Sequence, residues 1–199
     1  MGCFWSPEAR FGHLRGVIRT RVGYSGGTTS NPTYHEMGDH SETIEIDYDP
    51  NMITYSDILN VFWANHYPFK DNYNKGRQYL SMLLYHDEHQ KELVTHSRKH
   101  WEQQVGSKLE TEIAAYSKFF KAEDKHQKYY LKRYPDAIAS LSSIYPGQDD
   151  LENSTLAARL NGFVKGFGTL AEIKEEVSQW EISERFRSLI IDRINKIRW

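Results

Sequence analysis

One cysteine, Cys3, is the only thiol in the 199 residues, so whatever fold the chain adopts is built without an internal disulfide, structural or catalytic. The length suits one domain with a substantial core, or one domain carrying an appended helical segment; two full domains would be a tight fit. Aromatic residues make up 14% of the chain and the mean hydropathy is −0.71, so the apolar content sits in large rings spread among charges, a soluble globular profile. No stretch approaches the roughly 18 consecutive apolar residues of a membrane span, and no basic and apolar signal sequence opens the chain, so a cytoplasmic location is the expectation. With 25 basic against 27 acidic residues and a net charge of −2, there is no excess positive field to draw nucleic acid or anionic lipid, and neither partner is expected.

Ser6-Pro7-Glu8 suits the start of a helix running from about Pro7 to Leu14. Val17 to Tyr24 reads as a strand, and the run from Ser25 to Pro32 is too rich in turn formers to be anything but a loop. Glu42 to Tyr48 alternates apolar and polar residues as a half-buried strand does, and Asp49-Pro50 ends it. Ser56 to Asn65 predicts a helix with Ile58, Leu59, Phe62 and Trp63 on one face, followed by a polar aromatic loop from His66 to Gly76. Strands are predicted at Gln78 to Tyr85 and Thr111 to Tyr116, a long charged helix from Asp87 to about Val105, and a short helix from Lys125 to Arg133. From Leu151 to Trp199 helical spacing returns, interrupted at Asn161-Gly162 and at Gly166 to Gly168. The expected division is residues 1–150 as one domain and 151–199 as a helical extension.

Cys3 lies close to a predicted helix amino end, where unpaired N–H groups favour the thiolate, the nucleophilic form. The bland alternative is a small buried hydrophobe. Met1-Gly2 with Ser6 also fits a myristoylation pattern, but bulky Phe4 and Trp5 and the lack of a nearby polybasic run argue against a lipid anchor. His86, His89, His96 and His100 have spacings that share one helix side, yet cations stand where a zinc helix needs a carboxylate, so no metal is expected. Gly23 to Gly27 lacks the Gly-Lys-Ser/Thr ending of a phosphate loop.

Gly2-Cys3-Phe4-Trp5, Val22-Gly23-Tyr24-Ser25-Gly26-Gly27, Asn31-Pro32-Thr33-Tyr34 and Tyr48-Asp49-Pro50 occur in that order. They are followed by Val61-Phe62-Trp63-Ala64-Asn65-His66, Gly76-Arg77-Gln78-Tyr79 and Phe119-Phe120-Lys121-Ala122-Glu123-Asp124-Lys125-His126-Gln127. Each motif alone is ordinary; the ordered set, spanning about residues 2–135, resembles the A-type peptide methionine sulfoxide reductases. The resemblance implies an α+β fold, a central mixed sheet flanked by helices around a ferredoxin-like core, here with a helical C-terminal extension. It implies reduction of methionine (S)-sulfoxide, free or in proteins, with Cys3 as the nucleophile that becomes a sulfenic acid. Asp39-His40-Ser41-Glu42 is the counterpart of the stretch that supplies the acid, which makes Glu42 the proton donor to the sulfoxide oxygen. That role needs a carboxyl kept neutral by burial. Tyr34 and Tyr79 match the tyrosines that hydrogen-bond that oxygen, and Phe4 and Trp5 match the rings that hold the S-methyl group. On the chain alone, Glu42 also reads as an exposed strand-edge carboxylate and the two tyrosines as ordinary half-buried rings.

The chain departs from the family pattern at several places. Asn74, the candidate for the methionine backbone nitrogen, stands where an aspartate is usual. The loop leading to Glu42 is shorter by about four residues, the usual strand before Gly2 is missing, and the segment after about residue 150 has no assigned counterpart. The recycling cysteines are absent, so the sulfenic acid is expected to be reduced by an external thiol such as thioredoxin, a glutaredoxin or glutathione, with no bound cofactor. A monomer is expected. These departures leave one rival of another class, a catalytically weak relative acting as a binding module.

Overall fold

The computed structural model describes residues 1–66, 68–69 and 76–199. In chain order its elements are α1 (Trp5–Gly12), β1 (Val17–Ser25), β2 (Ser41–Tyr48), α2 (Tyr55–Ala64), β3 (Met82–Tyr85), α3 (Glu88–Val105), β4 (Glu112–Ala115), β5 (Phe119–Lys121), α4 (Pro135–Leu141), α5 (Gln148–Glu152), α6 (Thr155–Val164), α7 (Leu170–Ser178) and α8 (Glu184–Lys196). This is the mixed α and β architecture the resemblance implies. Among the described residues the strands form two small sheets: β2-β1-β5, with β1 and β5 antiparallel, and the parallel pair β3-β4. Two compact units emerge from the packing, one of Met1–Phe4, Val22–Glu45 and Pro50–Glu123, the other of Trp5–Arg21, Ile46–Asp49 and Asp124–Trp199.

In the first unit, α2 opens on a reciprocal cap: the Thr54 hydroxyl accepts the Asp57 N–H at 3.1 Å while the Asp57 carboxylate accepts the Thr54 N–H at 3.0 Å. The predicted face of Ile58, Leu59, Phe62 and Trp63 is the buried one. Asp87 caps α3 by accepting the Gln90 N–H, and Gly106 ends that helix in the left-handed region at φ 66°. The strand predicted from Gln78 is shorter than expected, because Arg77–Tyr79 forms a single 3₁₀ turn and β3 begins at Met82. The reason is local: the Arg77 carbonyl accepts the Leu80 N–H at 3.1 Å and the Ser41 hydroxyl at 2.7 Å, which leaves it turned away from a ladder.

In the second unit, α1 starts at Trp5 rather than Pro7. It is anchored by a fully buried ion pair. Glu8 and Lys128 are both 0% exposed, with Nζ 2.7 Å from the carboxylate, which also accepts the Lys128 backbone N–H at 2.9 Å. Nζ donates in addition to the Thr20 carbonyl at 2.6 Å. Burial pushes the Glu8 carboxyl above its usual range and the Lys128 ammonium opposes that shift. Serving Glu8 with both backbone and side chain puts Lys128 at φ 51°, and this is why the helix predicted over Lys125 to Arg133 is instead two 3₁₀ turns, Asp124–His126 and Leu131–Arg133.

Residues 151–199 pack in this same unit, around a core that includes Leu131, Leu141, Leu156, Leu160, Ile190 and Ile194. Asn161-Gly162, predicted as a break, lies inside α6. The Asn161 side chain accepts the Leu131 N–H at 3.0 Å, and Gly162 faces α1 where a Cβ would stand 2.8 Å from the Ala9 carbonyl oxygen. Both residues therefore serve packing rather than a turn. The break at Gly166 to Gly168 is present, with φ of 95° and 68° at the two glycines. Arg159, 2% exposed, donates to the Gly12 carbonyl at 2.6 Å and the Val17 carbonyl at 2.8 Å while pairing with both oxygens of Glu176. It thus satisfies the Gly12 carbonyl that the end of α1 leaves open, together with the first carbonyl of β1. Helix α4 is absent from the sequence reading, and Pro135 in its first turn is its signal.

Breaking a buried pair strands a charge in a dry site. Lys128→Met is expected to lower the unfolding free energy by about 3–5 kcal/mol in urea titrations, and a loss below about 1 kcal/mol would contradict the anchoring role.

Candidate active site

The first unit brings Cys3, Phe4, Tyr34, Glu42 and Tyr79 together. Glu42 is the second residue of β2 and only 7% exposed. Its Oε2 accepts the backbone N–H of Phe4 at 2.9 Å and its Oε1 accepts the Gln78 amide at 2.8 Å. The Cys3 thiol hydrogen-bonds the same carboxyl. Burial holds Glu42 above the usual carboxylate range despite these donors, so the neutral acid survives to higher pH than an exposed glutamate allows. Cys3 itself is exposed. An accessible sulfur beside a sequestered carboxyl is the pairing that a nucleophile and a proton donor require.

The start of β2 is fixed from the residues before Glu42. His40 is 2% exposed; its Nδ1 accepts the Gly27 N–H at 3.1 Å, which leaves Nε2 as the donor to the Thr29 carbonyl at 2.7 Å. The Asp39 carboxylate gathers the backbone N–H groups and hydroxyls of Thr28 and Thr29 at 2.8–3.1 Å, and these hydrogen bonds hold its pKa well below the usual range. Arg77 ties the turn carrying Gln78 and Tyr79 to this loop, donating to the Asp39 carbonyl at 2.7 Å and the Gly26 carbonyl at 3.0 Å, and forks onto Glu112 with two contacts of 3.1 Å.

The Tyr79 hydroxyl hydrogen-bonds Tyr34, and burial together with that bond pushes its pKa up to about 12, with the charges of Glu42 and Cys3 acting in the same direction. At neutral pH it is a phenol able to donate. The backbone N–H of Tyr34 donates to Glu123 Oε1 at 3.0 Å, and the hydroxyl of Tyr24 donates to Glu123 Oε2 at 2.6 Å. Gly23, beside Tyr24 on β1, has the carbonyl of Phe120 and the ring of Phe119 where a Cβ would go, so only glycine lets β5 approach there.

The rings following Cys3 have different surroundings. Phe4 is 1% exposed and packs on Tyr24 with centroids 6.1 Å apart. Trp5 falls in the second unit, where it lies parallel to Tyr129 at 3.6 Å and donates from Nε1 to His126 Nδ1 at 3.2 Å. Asn74 lies outside the described residues. Gln78, Arg77, Asp39 and Glu123 are site-shaping residues that the sequence reading does not single out, although each stands within a matched motif or the stretch leading to Glu42. Among the described residues no group of three or more His, Cys, Asp or Glu side chains is placed to hold a metal ion.

The family model for peptide methionine sulfoxide reductase matches residues 1–158. A Drosophila melanogaster peptide methionine sulfoxide reductase is 44% identical over 183 residues, covering 88% of this chain and 70% of its own length. Peptide methionine sulfoxide reductase A5 of Oryza sativa subsp. japonica is 36% identical over 203 residues, covering 100% of this chain and 75% of its own. The tail beyond residue 150 thus has a counterpart in that relative, contrary to the expectation from sequence alone. Reduced Mxr1 from Saccharomyces cerevisiae is similar in structure, with a TM-score of 0.60 at 29% identity, over 67% of this chain and 82% of Mxr1.

Because Gln78 donates to Glu42 and so favours the ionised form, Gln78→Leu is expected to move the Glu42 pKa further upward. Carboxyl ¹³C NMR titration reads this directly, and an unchanged or lower value would contradict the geometry.

Proposed function

The chain belongs to the peptide methionine sulfoxide reductase family, oxidoreductases that reduce methionine sulfoxide, and on that premise we propose that Cys3 is the nucleophile and Glu42 the general acid. The observation that carries this assignment is the convergence of the Cys3 thiol and the Phe4 N–H on one buried carboxyl. Glu42 gives a proton to the sulfoxide oxygen, which leaves the sulfinyl sulfur more electron-poor, and the Cys3 sulfur attacks that centre. The oxygen passes to Cys3 as a sulfenic acid, methionine leaves as the thioether, and the thiol proton restores Glu42. Two electrons move from Cys3 to the substrate sulfur, so atoms and charge balance. Tyr34 and Tyr79 donate hydrogen bonds to the negatively polarised sulfoxide oxygen and hold it for the proton.

Phe4 and Trp5 are the candidates for holding the S-methyl group, and Asn74 for the methionine backbone nitrogen. With no second thiol in these 199 residues, the sulfenic acid condenses with a thiol from another molecule, releasing water, and a second thiol resolves the mixed disulfide. A glutathione, glutaredoxin or thioredoxin pool would serve, and a reducing compartment such as the cytoplasm supplies it. Among the described residues no helix is long and apolar enough to cross a membrane.

The test is steady-state release of methionine from a stereochemically pure (S)-sulfoxide with dithiothreitol. Cys3→Ser is expected to abolish turnover. Glu42→Gln is expected to slow it by about 10²-fold at neutral pH. In the wild type the rate should fall as pH rises through the raised Glu42 pKa, since the acid is then ionised. Turnover surviving in Cys3→Ser would overturn the nucleophile assignment, and an unchanged rate in Glu42→Gln would remove the acid.

A further inference from the structure

We propose that Glu123 is a positioning residue for sulfoxide reduction, holding Tyr34 in place through the Tyr34 backbone N–H while its other oxygen is locked by the Tyr24 phenol. The proposal rests on the reading of Tyr34 as a ligand of the sulfoxide oxygen. Tyr34 sits between Asn31 and Met37, a stretch of turns and bends with no helix or strand of its own. Within that stretch the Thr33 N–H bonds the Glu36 carbonyl at 3.3 Å, the Glu36 N–H bonds the Thr33 hydroxyl at 3.1 Å, and the Tyr34 ring meets His35 edge-on at 5.4 Å. The Tyr34 peptide N–H itself reaches Glu123, 89 residues away.

Glu123 is well supported for that task. It lies two residues past β5, whose pairing places Phe120 opposite Tyr24 and Lys121 opposite Gly23, and the Ala122 N–H extends the ladder to the Val22 carbonyl at 2.9 Å. Tyr24 is 1% exposed and its phenol donates at 2.6 Å, a short bond to a charged acceptor. The Tyr24 ring packs on Phe4, whose N–H holds Glu42. One carboxylate therefore connects the central strand, the neighbour of the strand carrying Glu42, to the peptide of the tyrosine whose hydroxyl bonds Tyr79. A carboxylate is suited because the Tyr34 peptide and the Tyr24 phenol are both donors and it has an oxygen for each. Aspartate is one methylene too short to serve both.

Loss of this clamp should leave binding pockets intact and misplace one hydroxyl, a fault that reads in the chemical step. The experiment measures the first-turnover rate of methionine release at saturating (S)-sulfoxide for wild type, Glu123→Ala, Glu123→Asp and Glu123→Gln, each with Tyr34 and with Tyr34→Phe. Glu123→Ala is expected to slow release about tenfold and Glu123→Asp about threefold. Glu123→Gln should recover most of the loss, since its carbonyl can take the Tyr34 N–H while its amide meets the Tyr24 oxygen. In the Tyr34→Phe background all three should change the rate by less than about twofold. An equal loss in both backgrounds, or no loss with Tyr34 present, overturns the proposal; if Glu123→Ala does not fold, Glu123→Asp decides by the same comparison. No release from the wild type overturns the functional reading, and the proposal with it.

Discussion

The hydrogen bond from the Phe4 peptide to the Glu42 carboxyl joins two requirements that oppose each other. A carboxyl that is to donate a proton near neutrality must be taken out of water, and a buried carboxyl without partners is costly enough to be expelled. Phe4 N–H and the Gln78 amide give Glu42 one donor on each oxygen, so it can stay inside, while burial still outweighs them and raises its pKa. Because one of these donors is the peptide just after Cys3, the bond that makes burial tolerable also fixes the acid beside the sulfur. His40, Ser41, Arg77 and Gln78 extend this logic outward, bonding the Thr29, Arg77 and Asp39 carbonyls and the Glu42 carboxyl in turn and leaving little freedom at the mouth of β2.

The second unit does for α1 what a disulfide does in other small proteins. Glu8 and Lys128 pin its first turn from inside, and Arg159 closes its last carbonyl. The residues beyond 150 are thus a brace for the helix that starts two residues after Cys3. A polar brace also specifies geometry: each group in it has a preferred partner and direction, whereas an apolar contact tolerates sliding.

Much of the fold was legible where period and caps agree. The alternation of Thr43 to Tyr48 and the single apolar face of α2 each have one cheap solution, and the structure adopts it. Legibility failed where a distant partner outbid the local signal. Lys125 to Arg133 has helical composition, but Glu8 takes the Lys128 N–H and bends the chain. Asn161-Gly162 looks like a turn until Leu131 and α1 need the amide and the missing Cβ. In the site, the proximity of Cys3, Glu42, Tyr34 and Tyr79 could be anticipated because whole motifs surround them. The different surroundings of Phe4 and Trp5 were not, since ring direction depends on where α1 begins. Glu123 was hidden for another reason: the donors from Tyr24 and Tyr34 that it accepts lie 99 and 89 residues away in sequence.

The account comes down to one thiol making one sulfenic acid per molecule. Mixing the reduced protein with excess methionine (S)-sulfoxide and no reductant, then quantifying methionine and the labelling of Cys3 by a sulfenic-acid-specific dione, measures that stoichiometry. The account predicts a single burst of one methionine per chain, matched by equal labelling at Cys3. Release well beyond one equivalent, or a burst with Cys3 unlabelled and still alkylatable, would contradict it.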